Sequence, residues 1–247
     1  MPMFSRLICP GAASQFFIAA CAIFIIISHT GPAVAEQDSL PAPVDTALRE
    51  AEAVSDLRVS FTMEFQWMGG LTVVERYDAG RDEWAPVSGD KTALSDNARD
   101  NLEKYKQLES APGGLIYADY RDHLSNVRLT DETADTLTYS FSSPQAPDMD
   151  GESPVRTQLI IDKDRQELML YSVRSLRSFK PGALAKINDL VFRQRFERKI
   201  QGAPPLMTHF YWRMKGERMF GAVNKEFSMR FSDFQLEKTG NAQQRLK

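Results

Sequence analysis

Apolar and polar side chains alternate without a break from residue 57 to residue 67. The apolar positions in this stretch are Leu57, Val59, Phe61, Met63, Phe65 and Trp67. A period of two over this length predicts a β-strand with one apolar face and one solvated face. Gly69 and Gly70 follow, and they predict a turn into a second strand, Leu71–Tyr77.

Weaker alternation predicts further strands along the rest of the chain. They are expected around Trp84 and Val87 and at Leu115–Tyr120, Val127–Leu129, Leu137–Phe141, Val155–Asp162, Leu168–Val173, Leu190–Arg198, Leu206–Met214 and Lys225–Leu236. Two segments have apolar residues at helical spacing instead. We predict helices over Asp45–Asp56 and over Ser95–Ser110, the second with Ser95 or Asp96 as its cap.

These elements predict an α+β fold. Links between strands are short, and short links join antiparallel neighbours, because parallel strands need long crossovers. We therefore expect one large, curved antiparallel sheet, a half-barrel of roughly 9–11 strands with helices packed on its concave face. It forms a single domain over residues 44–237, between a flexible lead-in, residues 36–43, and a flexible tail, residues 238–247.

The first 35 residues have the pattern of a secretion signal. Arg6 supplies a positive charge, Phe16–Ile27 is an uninterrupted apolar run, and Ala33-Val34-Ala35 offers small residues for cleavage after Ala35. The apolar run is too short to span a bilayer comfortably. We expect a mature protein in the periplasm of a Gram-negative bacterium. Two alternatives are a lipoprotein modified at Cys21 and a leader retained as an anchor.

Charge is divided unevenly along the chain. Residues 36–173 contain 13 basic and 27 acidic residues, whereas residues 174–247 contain 16 basic and 6 acidic residues. Arg193 and Arg195 alternate with Phe192 and Phe196, so both arginines are expected on the outward face of one strand. With Arg174 and Arg177 they predict a basic patch for an anionic membrane surface or an acidic envelope protein. In the alternative, these charges pair with the acidic first part of the chain.

Motifs that carry catalysis are weak in this sequence. Ser88-x-x-Lys91, Ser95-Asp96-Asn97 and Lys238-Thr239-Gly240 match the three short motifs of serine β-lactamases, but the second follows the first too closely for that fold. A mature chain without cysteine, with His123 and His209 as its histidines, predicts no metal site. We expect no cofactor, no enzymatic activity and no nucleic-acid partner.

Aromatic side chains on the predicted strands are the candidates for ligand binding. Phe61, Phe65 and Trp67 lie in phase on the opening strand, and Phe210 and Trp212 lie in phase on a late one. Two helices can cover only part of a sheet of roughly ten strands. Part of this apolar surface is therefore predicted to stay open for an apolar ligand. The alternative is an ordinary core packed against the helices.

The order of elements resembles the envelope lipoprotein-carrier superfamily, the outer-membrane lipoprotein-sorting proteins and their relatives. The resemblance covers Val44–Leu236: a leader, a helix, a long alternating strand with Ser60–Gln66 as SFTMEFQ, and then a curved sheet with an inserted helix. It implies a half-open barrel with a helical lid over a cavity for acyl chains, and no catalysis. We transfer no site residue from this family.

Three functions remain open from the sequence. The first is a periplasmic, non-enzymatic carrier of an apolar or lipid-like ligand. The second is a structural or interaction module of the envelope that binds a protein partner. The third is a hydrolase with dispersed carboxylates, because such acids come from separate strands and leave no local motif.

Overall fold

The computed structural model describes most of the chain beyond its leader. The described residues are 39–53, 57–68, 70–109, 117, 120–121, 124–142, 153–182, 184–218 and 221–237. The expected leader and the expected tail lie outside them.

Eleven strands and two α-helices are formed by the described residues. The helices are α1 (Ala42–Glu52) and α2 (Asp96–Glu109), with a short 3-10 helix (Lys91–Ala93) just before α2. The strands are β1 (Val59–Trp67), β2 (Leu71–Asp78), β3 (Glu83–Ser88), β4 (Ser125–Glu132), β5 (Thr136–Ser142), β6 (Val155–Asp162), β7 (Leu168–Ser175), β8 (Phe179–Gly182), β9 (Ala185–Glu197), β10 (Leu206–Arg218) and β11 (Gly221–Leu236).

All eleven strands belong to one antiparallel sheet, which is not closed into a barrel. The order across the sheet is β3-β2-β1-β11-β10-β9-β7-β6-β5-β4, with β8 paired to β9. The last strand, β11, lies between β1 and β10, so the C-terminal strands occupy the middle of the sheet. The predicted fold class, a large curved antiparallel sheet with helices, is confirmed.

Alternation along β1 decides which face of the sheet is buried. Phe61, Met63 and Phe65 have no solvent-exposed surface, whereas the alternating residues Glu64 and Gln66 lie on the opposite face. The apolar face packs against the helices and is called the inner face below. The opposite, solvated face is called the outer face. The buried apolar residues of both helices and of the inner face form one continuous core.

Both helices lie over the inner face and bury one apolar stripe. Val44, Ala47, Leu48 and Ala51 are the buried residues of α1, which packs against β6 and β7. This helix begins three residues earlier than predicted, because Pro43 is tolerated in a first turn; the last two residues of the expected lead-in are therefore helical. In α2 the predicted cap is confirmed: Ser95 Oγ accepts a hydrogen bond from the backbone N–H of Ala98 at 3.3 Å.

The strand predicted at Leu115–Tyr120 is wrong for the part of it that the structure describes. Tyr117 and Tyr120 are not in a strand; both are buried, and Tyr117 packs its ring edge-on against Phe196 of β9. The aromatic residues of this segment are typical of a strand, but in the structure Tyr117 and Tyr120 pack over the sheet instead. Burial of aromatic area drives this packing without requiring strand pairing.

Several strands are longer than predicted, and β8 was not predicted. The largest extensions are in β9, which begins at Ala185, in β10, which continues to Arg218, and in β11, which begins at Gly221. Apolar and polar residues do not alternate regularly in these added segments, but pairing across the sheet keeps the backbone extended. At Gly216 an added Cβ would collide with the carbonyl oxygen of Lys186, so only glycine fits this close approach.

Candidate functional site

Four of the five predicted ligand-binding residues surround one aromatic ring on the inner face. The Phe227 ring of β11 lies 5.8 Å from Phe65, 5.9 Å from Trp67, 5.5 Å from Phe210 and 5.3 Å from Trp212, measured between ring centroids. The Trp67 and Phe210 rings are nearly parallel to it, at 14° and 18°. We call these five residues the Phe227 cluster.

The fifth predicted residue, Phe61, belongs to a separate group of rings. It contacts Tyr77 at 5.4 Å, Trp84 at 5.5 Å and Phe231 at 5.6 Å. Phe61 and Trp67 are six residues apart on β1, which places them roughly 20 Å apart along the strand. Phe61 is completely buried, so the structure places it in the core under α2 and away from the Phe227 cluster.

Tyr105 of α2 covers the middle of the inner face. Its ring lies 5.9 Å from Phe210 and 6.1 Å from Phe231. Trp67, Trp212 and Phe227 retain 8%, 5% and 8% of their exposed surface, whereas Phe65 retains none. Three rings of the Phe227 cluster thus retain a small exposed surface at the Trp67 end of the inner face.

A half-buried lysine lies beside this end of the Phe227 cluster. Lys225 is in the same phase of β11 as Phe227 and is paired with Met214 of β10. Burial lowers the pKa of Lys225, and the charges of Arg218 and Lys104 lower it further. Among the described residues, no carboxylate forms an ion pair with Lys225. Neither Lys225 nor Phe227 was among the predicted site residues, although the alternation Lys225, Phe227, Met229 contains both.

Buried charges hold α2 on the sheet. Glu75 of β2 is 1% exposed and faces inward, opposite Met63. Its carboxylate forms ion pairs with Lys91 and, at 3.1 Å, with Lys106 of α2. Both lysines also pair with Glu103, at 3.2 and 3.4 Å. These four residues are called the Glu75 network.

The Glu75 network shifts the pKa values of Lys91 and Glu103. Ion pairing with Glu75 and Glu103 raises the pKa of Lys91 against the opposing effect of burial, which is the largest single influence. The same lysines lower the pKa of Glu103, again against burial. Lys91 is therefore charged and engaged, whereas a Ser-x-x-Lys nucleophile needs a lysine that can accept a proton. Ser88 lies in an exposed position on β3.

Arginine ion pairs hold α1 in a similar way. Arg198 contacts Glu50 of α1 and the buried Glu167, both at 2.6 Å. Arg121 binds Asp45 and Glu52 of the same helix, each at 2.7 Å. Arg198 belongs to the basic part of the chain, and both of its partners belong to the acidic part. For this arginine, the structure follows the alternative in which the two parts of the chain neutralise each other.

The predicted basic patch is divided by the structure. Arg193 and Arg195 are exposed side by side on the outer face of β9, as predicted. Arg174 is exposed on β7, where it lies opposite Arg156 of β6. Arg177 follows the end of β7 and is also exposed. Arg193 and Arg195 therefore belong to one site, and Arg174 and Arg177 lie beside it toward β7.

A groove of about 730 Å³ opens on the outer face around Arg193 and Arg195. The residues that line it include Glu64, Arg193, Arg195, His209, Tyr211 and Arg230. Strand pairing sets Arg195, His209 and Arg230 in one row across β9, β10 and β11. His209 was expected to hold no metal, and Arg230 was not among the predicted site residues. We call this site the arginine groove.

His209 has a lowered pKa in this setting. Burial is the main cause, followed by the charges of Arg230, Arg195 and Arg193. The neutral imidazole is therefore favoured, because a protonated ring would add a fourth positive charge to the arginine groove.

Within the described ranges, neither helix has the length and hydropathy needed to cross a bilayer. No group of three or more His, Cys, Asp or Glu side chains in those ranges is placed to hold a metal ion.

Comparison with known proteins gives no relative: no family model, no curated protein and no solved structure matches this chain.

Proposed function

We propose that this protein is an exported, non-enzymatic binding protein that carries a lipid-like ligand in the periplasm. The ligand has an apolar chain and an acidic head. The observation that carries the proposal is the position of Lys225 beside the Phe227 cluster. A half-buried ammonium group without an ion pair among the described residues lies next to flat aromatic surface, which suits both ends of such a ligand.

The apolar chain is expected to lie along the Phe227 cluster. Each buried methylene contributes about 0.8 kcal/mol, so a chain of about twelve contributes roughly 10 kcal/mol. We infer that the bound chain replaces the apolar contacts of α2 with the inner face, so that α2 acts as a movable cover held by the Glu75 network.

The acidic head is expected to bind Lys225. A carboxylate or phosphate at this point restores the counter-charge that Lys225 lacks and offsets its repulsion from Arg218 and Lys104. A ligand with the same chain and a neutral head group gains no such electrostatic stabilisation. The proposed ligand is thus distinguished from a plain hydrocarbon by its charge.

The position of the chain can be tested with a fatty acid that carries bromine on its chain, which quenches tryptophan fluorescence on contact. Trp67 and Trp212 belong to the Phe227 cluster, whereas Trp84 lies beside Phe61 at the other end of the inner face. The Trp84→Phe variant keeps the two reporters of the cluster. A Trp67→Phe/Trp212→Phe variant keeps only Trp84.

We expect saturable quenching in the Trp84→Phe variant and little in the double variant. Lys225→Met is expected to weaken binding of dodecanoate about tenfold and to leave dodecanol unchanged, because one charge-assisted contact is lost. Lys215→Met is the matched control, since Lys215 is exposed on the outer face of β10. Absence of quenching from all three tryptophans, or equal losses in both lysine variants, would refute the proposal.

A further inference from the structure

Three arginines converge on the arginine groove without an ion pair to any residue that the structure describes. Arg193 and Arg195 come from β9 and Arg230 comes from β11, on either side of His209. Neighbouring strands are about 4.8 Å apart, so the backbones of Arg195 and Arg230 are about 10 Å apart. Two long side chains can therefore reach one group that sits above His209.

Some other arginines of this protein are paired with carboxylates. Arg121, Arg198 and Arg213 each contact a carboxylate at 2.7 Å or less. The arginine groove has two carboxylates on its lining, but Glu197 is ion-paired with Lys199 and Glu64 forms no ion pair with Arg230, its neighbour in register. Like charges gathered at one site repel one another and disfavour the folded state. An external anion would remove this cost.

We propose that the arginine groove binds a ligand through a phosphate group. A guanidinium group offers two parallel N–H donors, and a terminal phosphate has three acceptor oxygens with a charge of about −1.5 to −2 at neutral pH. One phosphate can therefore engage Arg195 and Arg230 together and still accept a hydrogen bond from His209 or Arg193. A carboxylate has only two oxygens and one charge, so it leaves part of the groove unneutralised.

The groove is larger than a single phosphate group. Its volume of about 730 Å³ falls within the range of sites for small organic ligands, about 300–1,000 Å³. A phosphate ester is therefore expected, with its organic part beside Tyr211 and its phosphate at the arginines. The site lies on the outer face, opposite the Phe227 cluster, and is independent of the proposed carrier function.

Calorimetry with inorganic phosphate tests the site at constant ionic strength. The groove variant is Arg195→Gln/Arg230→Gln, and the control variant is Arg156→Gln/Arg174→Gln, which removes the same charge from exposed positions of the same face. We expect the control to bind like the wild-type protein and the groove variant to bind on the order of 100-fold more weakly. Circular dichroism verifies that both variants are folded.

A second arm identifies the source of the phosphate. Vesicles of phosphatidylglycerol and of phosphatidylcholine are sedimented with each variant, with and without free phosphate. Binding to phosphatidylglycerol vesicles that requires the groove arginines and is displaced by phosphate identifies a lipid headgroup. Binding of phosphate without binding of vesicles identifies a soluble phosphate ester. Equal loss in both double variants, or binding of neither phosphate nor vesicles by the wild-type protein, overturns the proposal.

Discussion

Replacing Glu75 by glutamine should weaken the attachment of α2 to the sheet. Glu75 is 1% exposed, and its carboxylate is the point at which Lys91 and Lys106 both meet β2. Glutamine keeps the size of the side chain and removes its charge. The two lysines then keep Glu103 as their only carboxylate partner in the network, and the Glu103 side chain is 47% exposed.

The magnitude follows from the exposure of each partner. Removing one member of a buried ion pair costs about 3–5 kcal/mol. The Lys106 side chain is 11% exposed, but that of Lys91 is 33% exposed and can rehydrate, and Glu103 still compensates both. We therefore expect a loss of about 2–3 kcal/mol in the free energy of unfolding. For a domain of this size the loss corresponds to roughly 5–10 °C in melting temperature.

Urea denaturation and thermal melting, followed by circular dichroism, measure this loss. Glu103→Gln is the control, because it removes the same charge from an exposed position and should cost less than about 1 kcal/mol. A Glu75→Leu/Lys106→Met variant should be more stable than Glu75→Leu alone, because the orphaned lysine is removed as well. Equal stabilities for Glu75→Gln and Glu103→Gln would refute the reasoning about burial.

Three other predictions concern α1, the arginine groove and export. Arg198→Gln leaves the buried Glu167 without its arginine and should lower the free energy of unfolding by about 3 kcal/mol in urea; an unchanged midpoint would contradict this. Because the pKa of His209 is lowered by folding, stability should fall as the pH drops from about 6.5 through the folded pKa, and His209→Gln should abolish this part of the pH dependence of the melting temperature. Intact mass should show a mature protein that begins at Glu36, whereas a diacylglyceryl group on Cys21 would show a lipoprotein.

Alternation was sufficient to predict the inner face of the sheet. A strand with a period of two has only two ways to place its side chains, and burial selects one of them. For this reason Phe65, Trp67, Phe210 and Trp212 were expected on a common apolar surface, and the structure brings them together around Phe227. Phe61 lies on the same face but outside that cluster. Alternation predicts the face on which a side chain lies, but not which residues of neighbouring strands it will contact.

The Glu75 network was not predicted, although the sequence contains one sign of it. Glu75 occupies the inward phase between Val73 and Tyr77 on β2. A carboxylate at an apolar position needs a buried counter-charge. Its partners come from the 3-10 helix and from α2, and only the docking of α2 brings Lys91 and Lys106 to the same carboxylate. Local pattern carries no information on that docking.

The arginine groove depends on strand order, which the sequence left open. Arg195 and Arg230 are 35 residues apart along the chain, and β10 places them on either side of His209. Neighbouring strands β9, β10 and β11 follow one another in sequence, so this part of the order could have been anticipated. The pairing of β11 with β1 could not, because it joins the two ends of the domain.

That pairing also determines what the uneven charge of the chain does. The basic strands β9, β10 and β11 lie in the middle of the sheet, and the acidic part of the chain supplies β1–β3 on one side and β4–β7 on the other. The excess of positive charge in these three strands therefore lies in the middle of the sheet. Such a field draws an anion toward the centre of the sheet. Arg198 pairs with Glu50 and Glu167, whereas Arg193, Arg195 and Arg230 have no ion pair among the described residues and lie together in the groove proposed to bind phosphate.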